Sequence, residues 1–146
     1  MRNHIWVMDH VDAKTRSRIM ASVKSRDTSP ELTVRRRLHA LGYRFRLQAK
    51  ELPGRPDIVL RARRKAIYVH GCYWHRHVGC KYASTPKTRT EFWTAKFDAN
   101  VARDRRNLAA LSALNWDALV IWECELKRAD FDLDGTLLDF LGERSE

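Results

Sequence analysis

The sequence predicts an α/β domain built as a mixed β-sheet flanked by helices. Three observations carry this reading. Stretches with helical spacing of apolar residues alternate with short strand-like runs, in the order helix, helix, strands, helix, strand, helix. Two of the strand-like runs, 57–60 and 66–69, are joined by a short basic turn and read as a hairpin. A nearly all-apolar run, Ala118-Leu119-Val120-Ile121-Trp122, reads as a strand central in the sheet. A length of 146 residues suits one compact domain with a real core and is too short for two. Residues 12–146 are therefore expected to form a single domain, preceded by an N-terminal arm at 1–11.

Taken in order, the arm carries no firm pattern, and Met8 is an alternative initiator. From Asp12 to about Ser25, Ile19, Met20 and Val23 suggest a short helix, with Lys14, Arg16, Arg18, Lys24 and Arg26 supplying a basic face. Ser29 as N-cap, Pro30 at the first helical position and Glu31 in the first turn open a second helix. Val34, Leu38 and Leu41 form its apolar stripe, and Gly42 stops it. Tyr43 to Leu47 alternates apolar and basic residues, as a half-buried strand does. Pro53-Gly54-Arg55-Pro56 turns the chain into the hairpin 57–69. Thr88 to Glu91 fits a capping box before a long helix to about Leu114, with Phe92, Val101, Leu108 and Leu111 facing inward and Arg103, Arg105 and Arg106 facing out. A last helix follows Asp134-Gly135 through Leu137, Leu138 and Leu141.

Composition narrows the partners. The formal charge is +10, from 28 basic and 18 acidic residues, which is the footprint of a polyanion binder, usually nucleic acid. Charge alone does not separate DNA from RNA. No run approaches the roughly 18–20 apolar residues of a membrane span. The segment Met1–Met8 lacks an apolar core of signal-peptide length, so a cytoplasmic location is expected. Three cysteines in a reducing compartment favour metal over disulfides.

The chemistry concentrates in residues 70–80, where His70, Cys72, His75, His77 and Cys80 surround a Tyr73-Trp74 pair. Cys72, His77, Cys80 and the remote Cys124 would make a closed tetrahedron of three thiolates and one imidazole, a structural zinc site with no position left for substrate. The bland alternative is surface histidines and buried apolar cysteines. His70 and His75 lie outside that quartet, beside two aromatics that look exposed. Asp57, at the mouth of a strand, is a candidate ligand for Mg2+, and a histidine nearby can move a proton near neutral pH. Equally, an Asp after a Pro-rich turn is often a turn acceptor. Glu31 and Asp104 are further acidic candidates, with a helix cap and a surface ion pair as their ordinary explanations. Tyr73, Trp74, Phe92 and Trp93 are either core or a wedge that opens weak base pairs.

Five motifs stand in one order: Pro53-Gly54-Arg55-Pro56-Asp57, His70-Gly71-Cys72-Tyr73-Trp74-His75, Thr88 to Trp93, Asn100 to Asp104, and Trp122-Glu123-Cys124. Thr15-Arg16-Ser17 and Arg26-Asp27-Thr28 precede them. Together, from about Asp9 to Leu126, they resemble the very short patch repair endonucleases of bacteria. The resemblance implies a restriction-endonuclease-like fold that nicks double-stranded DNA 5′ of the mispaired T in T·G mismatches left by deamination of 5-methylcytosine. It implies Mg2+ held by Asp57 and the backbone carbonyl of Val69, and His75 as general acid or base. Glu31 matches the family's acidic partner, and His70 and Asp104 match active-site positions. It further implies zinc on Cys72, His77, Cys80 and Cys124, and an aromatic wedge of Tyr73, Trp74 and Trp93. A monomer is expected, with mismatch-repair proteins as candidate partners.

The sequence departs from the family pattern at four points. Val69 stands where relatives often have Thr, Arg76 replaces a histidine, Val78-Gly79 alters the spacing before Cys80 by about one residue, and Tyr73 replaces Phe. Two rival readings stay open: a same-fold nuclease without mismatch preference, and a zinc-stabilised DNA-binding module with degenerate catalysis.

Overall fold

The computed structural model describes residues 27–142. The expected arm at 1–11, the first basic helix, the alternative start at Met8 and the Thr15-Arg16-Ser17 motif lie outside the described residues. Helix α1 spans Ser29–Ala40, one residue earlier than expected, because the Thr28 side chain, not that of Ser29, accepts the Glu31 N–H and caps it. Val34 and Leu38 are fully buried. The helix stops where Gly42 takes a φ of 91° and the Tyr43 N–H returns to the Leu38 carbonyl at 3.0 Å.

Strand β1 is only Arg46–Leu47. The ladder does not reach Tyr43, whose side chain turns inward and donates its hydroxyl to the Gly142 carbonyl at 2.6 Å. Strands β2 (Ile58–Leu60) and β3 (Lys65–His70) form the expected antiparallel hairpin, with Ile58 opposite Ile67, across a 3-10 turn at Arg61–Arg63. Helix α2 (Thr90–Ala113) then crosses the sheet and returns the chain to β4 (Asp117–Trp122), which runs parallel to β3. Two helices close the described chain, the short α3 (Glu123–Lys127), absent from the sequence reading, and α4 (Leu133–Leu141). The last begins before Asp134, with Asp132 accepting the Gly135 N–H at 3.0 Å as its cap.

The strand order β1-β2-β3-β4 corrects one expectation: among the described residues the apolar strand β4 is an edge, not the centre. Its later residues, Leu119 to Trp122, are apolar because helices pack on both faces there. Ile121 joins Val34, Leu38, Ile58, Ile67, Leu137 and Leu141 under α1 and α4. Val120 packs on the opposite side with Val59, Ala66, Tyr68, Leu111 and Trp116 under α2. The mixed sheet is thus sandwiched between helices, and the alternation along β2 and β3 feeds the two cores in turn.

Helix α2 departs from its predicted face near its start. Leu111 is buried and Val101 and Leu108 are half-buried, but Phe92 is 48% exposed, and Trp93 and Phe97 are buried in its place. The first turns of α2 extend past the sheet and pack on the 72–74 loop, so a different stripe faces inward. The predicted capping box is not formed: the residue before the helix, Arg89, sits at φ 54° and supplies no side-chain cap. Arg103, Arg105 and Arg106 are exposed as expected. No described helix is long and apolar enough to cross a membrane.

Candidate active site

The loop before β2 is built to hold Asp57 still. Gly54 has a φ of 75°, and a Cβ there would come within 2.9 Å of Asn107 Cβ, so only glycine lets this turn lie against α2. The Tyr68 hydroxyl donates to the Pro53 carbonyl at 2.8 Å, and the Gln48 N–H to the Asp57 carbonyl at 3.1 Å. The Asp57 carboxylate accepts the Val69 N–H at 2.7 Å across the hairpin. Burial pushes this carboxyl above its ordinary range, against the lowering effect of that N–H.

Glu31 approaches the same point from α1. Its side chain is buried and accepts the Asp27 N–H at 2.7 Å and an Arg35 guanidinium N–H at 3.3 Å. Burial first, and then the charge of Asp57, push Glu31 up to about 7. Two carboxyls sharing a buried site cannot both ionise cheaply without a cation. That is the donor chemistry a hard divalent ion takes.

Facing them are the two histidines left over from the cysteine-rich stretch. His70 and His75 stack with ring centroids 3.8 Å apart and planes within 2°. His75 Nδ1 lies 2.7 Å from an Asp104 carboxylate oxygen, which fixes the ring and leaves Nε2 for other partners. Although burial acts upward on Asp104, the hydrogen bond and charge of His75 carry it below the usual range. His70 is buried, and burial together with the His75 charge lowers it to about 3, so it stays neutral. Ligand atoms of His70, His75 and Asp104 lie within 4.8 Å of one another. Glu31, Asp57, Val69, His70, His75 and Asp104 line one cavity of about 770 Å³, with Lys50, Arg55 and Arg103 also on its wall. The structure thus brings together all five predicted catalytic side chains and Val69.

The other set separates cleanly. Cys72, His77, Cys80 and Cys124 place their ligand atoms within 4.8 Å of one another. Cys72 Sγ and Cys124 Sγ stand 3.6 and 3.3 Å from His77 Nδ1. Tetrahedral zinc with Zn–S near 2.3 Å and Zn–N near 2.0 Å calls for S···N edges of roughly 3.5 Å, so the donor set fits zinc. Burial raises the Cys72 and Cys124 thiols, which favours the neutral thiol unless a dication is bound. Before Cys80 the chain runs through the loop tip, where Gly79 has a φ of 73° with open space around it and Val78 is 94% exposed. His77 stacks on Trp122, the rings 4.2 Å apart and 6° from parallel.

The aromatics differ from the expected exposed pair. Tyr73 and Trp93 are buried with Phe97, and Trp74 is only half-buried at the edge of that cluster. Tyr73 packs edge-on against both Trp74 and Phe97.

A family profile described as DNA mismatch endonuclease Vsr matches residues 8–81. The Escherichia coli protein named DNA mismatch endonuclease Vsr is 42% identical over 132 residues, covering 90% of this chain and 84% of the relative. The Type II nicking enzyme V.XorIIP of Xanthomonas oryzae is 49% identical over 118 residues, 81% of this chain and 86% of the relative. The chain belongs to the Vsr family. It is accordingly a nuclease acting on DNA, on the restriction-endonuclease-like fold of that family. A further Vsr-like relative, the Type II nicking enzyme V.NmeAIP of Neisseria meningitidis, is 39% identical over 112 residues, 77% of this chain and 79% of the relative.

Several residues that shape this Vsr-family site were given no role by the sequence. Glu123 is buried and accepts the Cys72 N–H at 3.2 Å, anchoring the cysteine loop to α3. Its position beside Cys124 was the available signal. Asn100 donates to the Trp74 carbonyl at 3.3 Å, and Tyr68 braces the Pro-Gly-Arg-Pro turn, contacts with no signature in sequence spacing.

Proposed function

We propose that this protein nicks duplex DNA 5′ of the mispaired T in T·G mismatches, as a Mg2+-dependent very short patch repair endonuclease. The observation that supports it most is the Asp57–Glu31 carboxyl pair, Glu31 buried and Asp57 half-buried, facing the His70–His75–Asp104 group across one cleft. Asp57, with the Val69 backbone carbonyl, would hold Mg2+, which supplies charge neutralisation at the phosphate and a more acidic bound water. His75, held by Asp104, takes or gives the proton at Nε2. His70, kept neutral by burial, backs the His75 ring without competing for its charge. Glu31 takes up a proton or a water hydrogen bond beside Asp57. Lys50, Arg55 and Arg103 meet DNA phosphates at the cleft, which makes affinity salt-sensitive. Zinc on Cys72, His77, Cys80 and Cys124 is structural.

Trp74, the half-exposed member of its cluster, leads the wedge that tests the weak T·G pair, with Tyr73 and Trp93 as its support. The enzyme acts as a monomer in the cytoplasm at the nucleoid, with mismatch-repair proteins as partners, and residues 12–146 form one endonuclease domain after the arm at 1–11. A second reading, a nuclease without mismatch preference, draws on the relatives named as nicking enzymes. Duplexes carrying T·G or T·A at one labelled position, in several flanking contexts, decide between them. A nick 5′ of T in T·G alone, with Mg2+ and not with EDTA, is the expected result. Equal cutting of both duplexes would establish the second reading.

A further inference from the structure

We propose that Arg76 is a positioning residue that sets the pose of the Tyr73-Trp74 pair and so governs discrimination at the base pair being tested. The inference rests on the wedge reading above. Arg76 has a φ of 55°, a left-handed backbone that a residue with a Cβ adopts against resistance. From there its guanidinium reaches four acceptors. One terminal nitrogen donates to the Tyr73 carbonyl at 3.1 Å and the Ser84 carbonyl at 3.0 Å. The other donates to the Ala83 carbonyl at 2.7 Å and the Thr85 hydroxyl at 3.0 Å. The same group lies over the Phe97 ring at 4.0 Å and the Tyr73 ring at 5.5 Å.

Three consequences follow from this geometry. The guanidinium ties the start of the cysteine loop to its end, across the ring cluster that supports Trp74. The carbonyls of Tyr73 and Trp74 are then held in succession, the first by Arg76 and the second by Asn100, so the dipeptide is fixed on both sides. Lastly, four of the five guanidinium N–H groups are used within the protein. Arg76 therefore has little left for a phosphate, although it is a cation in a DNA-binding protein. Lysine keeps the charge but cannot span four acceptors in a planar fan.

The test compares Arg76→Lys and Arg76→Ala with the parent, zinc content being measured in each. Nicking of T·G and T·A duplexes is followed with 2-aminopurine beside the mismatch to report base unstacking. With zinc retained, both substitutions are expected to remove most of the 2-aminopurine signal and to lower kcat on T·G by about ten- to a hundredfold, the scale for small misplacements. KM and the salt dependence of binding should hardly change, since no phosphate contact is removed. If Arg76→Ala loses zinc, Arg76→Lys decides. Retained signal and rate in Arg76→Lys, or a shallower salt dependence, would overturn the proposal. Trp74→Ala separates the two layers. If it leaves signal and rate intact, the wedge reading itself fails. If it abolishes both while the Arg76 variants keep them, only the role of Arg76 is lost.

Discussion

The eleven residues from His70 to Cys80 feed two clusters that differ in every physical respect. His70 and His75 turn into an open cleft with carboxylates, whereas Cys72, His77 and Cys80 turn away from it to meet Cys124. The split is made by successive tight turns, in which the His75, His77 and Cys80 N–H groups return to the Gly71, Cys72 and His77 carbonyls. The soft cluster offers four sulfur and imidazole donors, enough to complete a tetrahedron around one ion. The hard cluster has oxygen and imidazole donors on the wall of a cavity of about 770 Å³. Closure suits a structural ion and openness suits chemistry. On the proposed reading one loop would couple fold stability to catalysis, and the two contributions can be separated by substitution.

The largest effect is expected at the closed cluster. Cys124→Ser removes one of four donors, and structural zinc contributes on the order of 10–16 kcal/mol in small zinc domains. That matches or exceeds the roughly 5–15 kcal/mol stability of a typical domain. Zinc content should fall from one ion per chain towards zero, with loss of the cooperative melting transition and of nicking together. A variant that kept its zinc would remove Cys124 from the ligand set.

At the open cluster the outcome should be the reverse, with activity lost and fold kept. Asp57→Ala is expected to cut nicking by about 10²- to 10³-fold, the scale of losing one group that stabilises transition-state charge. Zinc content, melting and DNA binding in EDTA should persist, because the half-buried Asp57 carboxyl is already held in an unfavourable environment. Retained Mg2+-dependent cutting would take Asp57 out of the metal site.

The cysteine cluster was legible in the sequence because three of its four donors are chemically distinctive and local, whereas Glu31, Asp57 and Asp104 were picked out at the open cluster chiefly by the family resemblance. The hairpin was legible as well, since Pro53–Pro56 and Arg61–Lys65 bracket two short apolar runs. What escaped depends on contacts distant in the chain. The all-apolar β4 reads like a central strand, yet it is an edge kept apolar by α2 on one face and α1 with α4 on the other. Phe92 and Trp93 are adjacent, and only the position of the 72–74 loop decides which is buried. Glu123 and Arg76 look like ordinary surface charges until their partners, Cys72 and the 83–85 carbonyls, are brought beside them.

The finest contrast between the clusters lies in the protons each holds, and Glu31 exposes it. Its carboxyl rises from an ordinary 4.5 to about 7 in the fold, chiefly through burial and then through Asp57. A carboxyl raised in this way binds a proton more tightly folded than unfolded, so stability falls as pH rises from about 4.5 to about 7. Each tenfold gain in proton affinity is worth about 1.4 kcal/mol, which limits the contribution to about 3 kcal/mol. Asp104, lowered through His75, acts in a separate window, losing stability only as pH falls below about 4. Glu31→Gln is neutral at every pH and close in shape. In EDTA it should therefore melt higher than the parent at pH 7.5, by several degrees, and converge with it near pH 4.5. Asp57 is raised by burial too, so the variant should flatten the pH dependence without removing it. Parallel melting curves for the two proteins between pH 5 and 7 would show that the shared proton is not on Glu31, and the contrast with the cysteine cluster would have to be drawn from Asp57 alone.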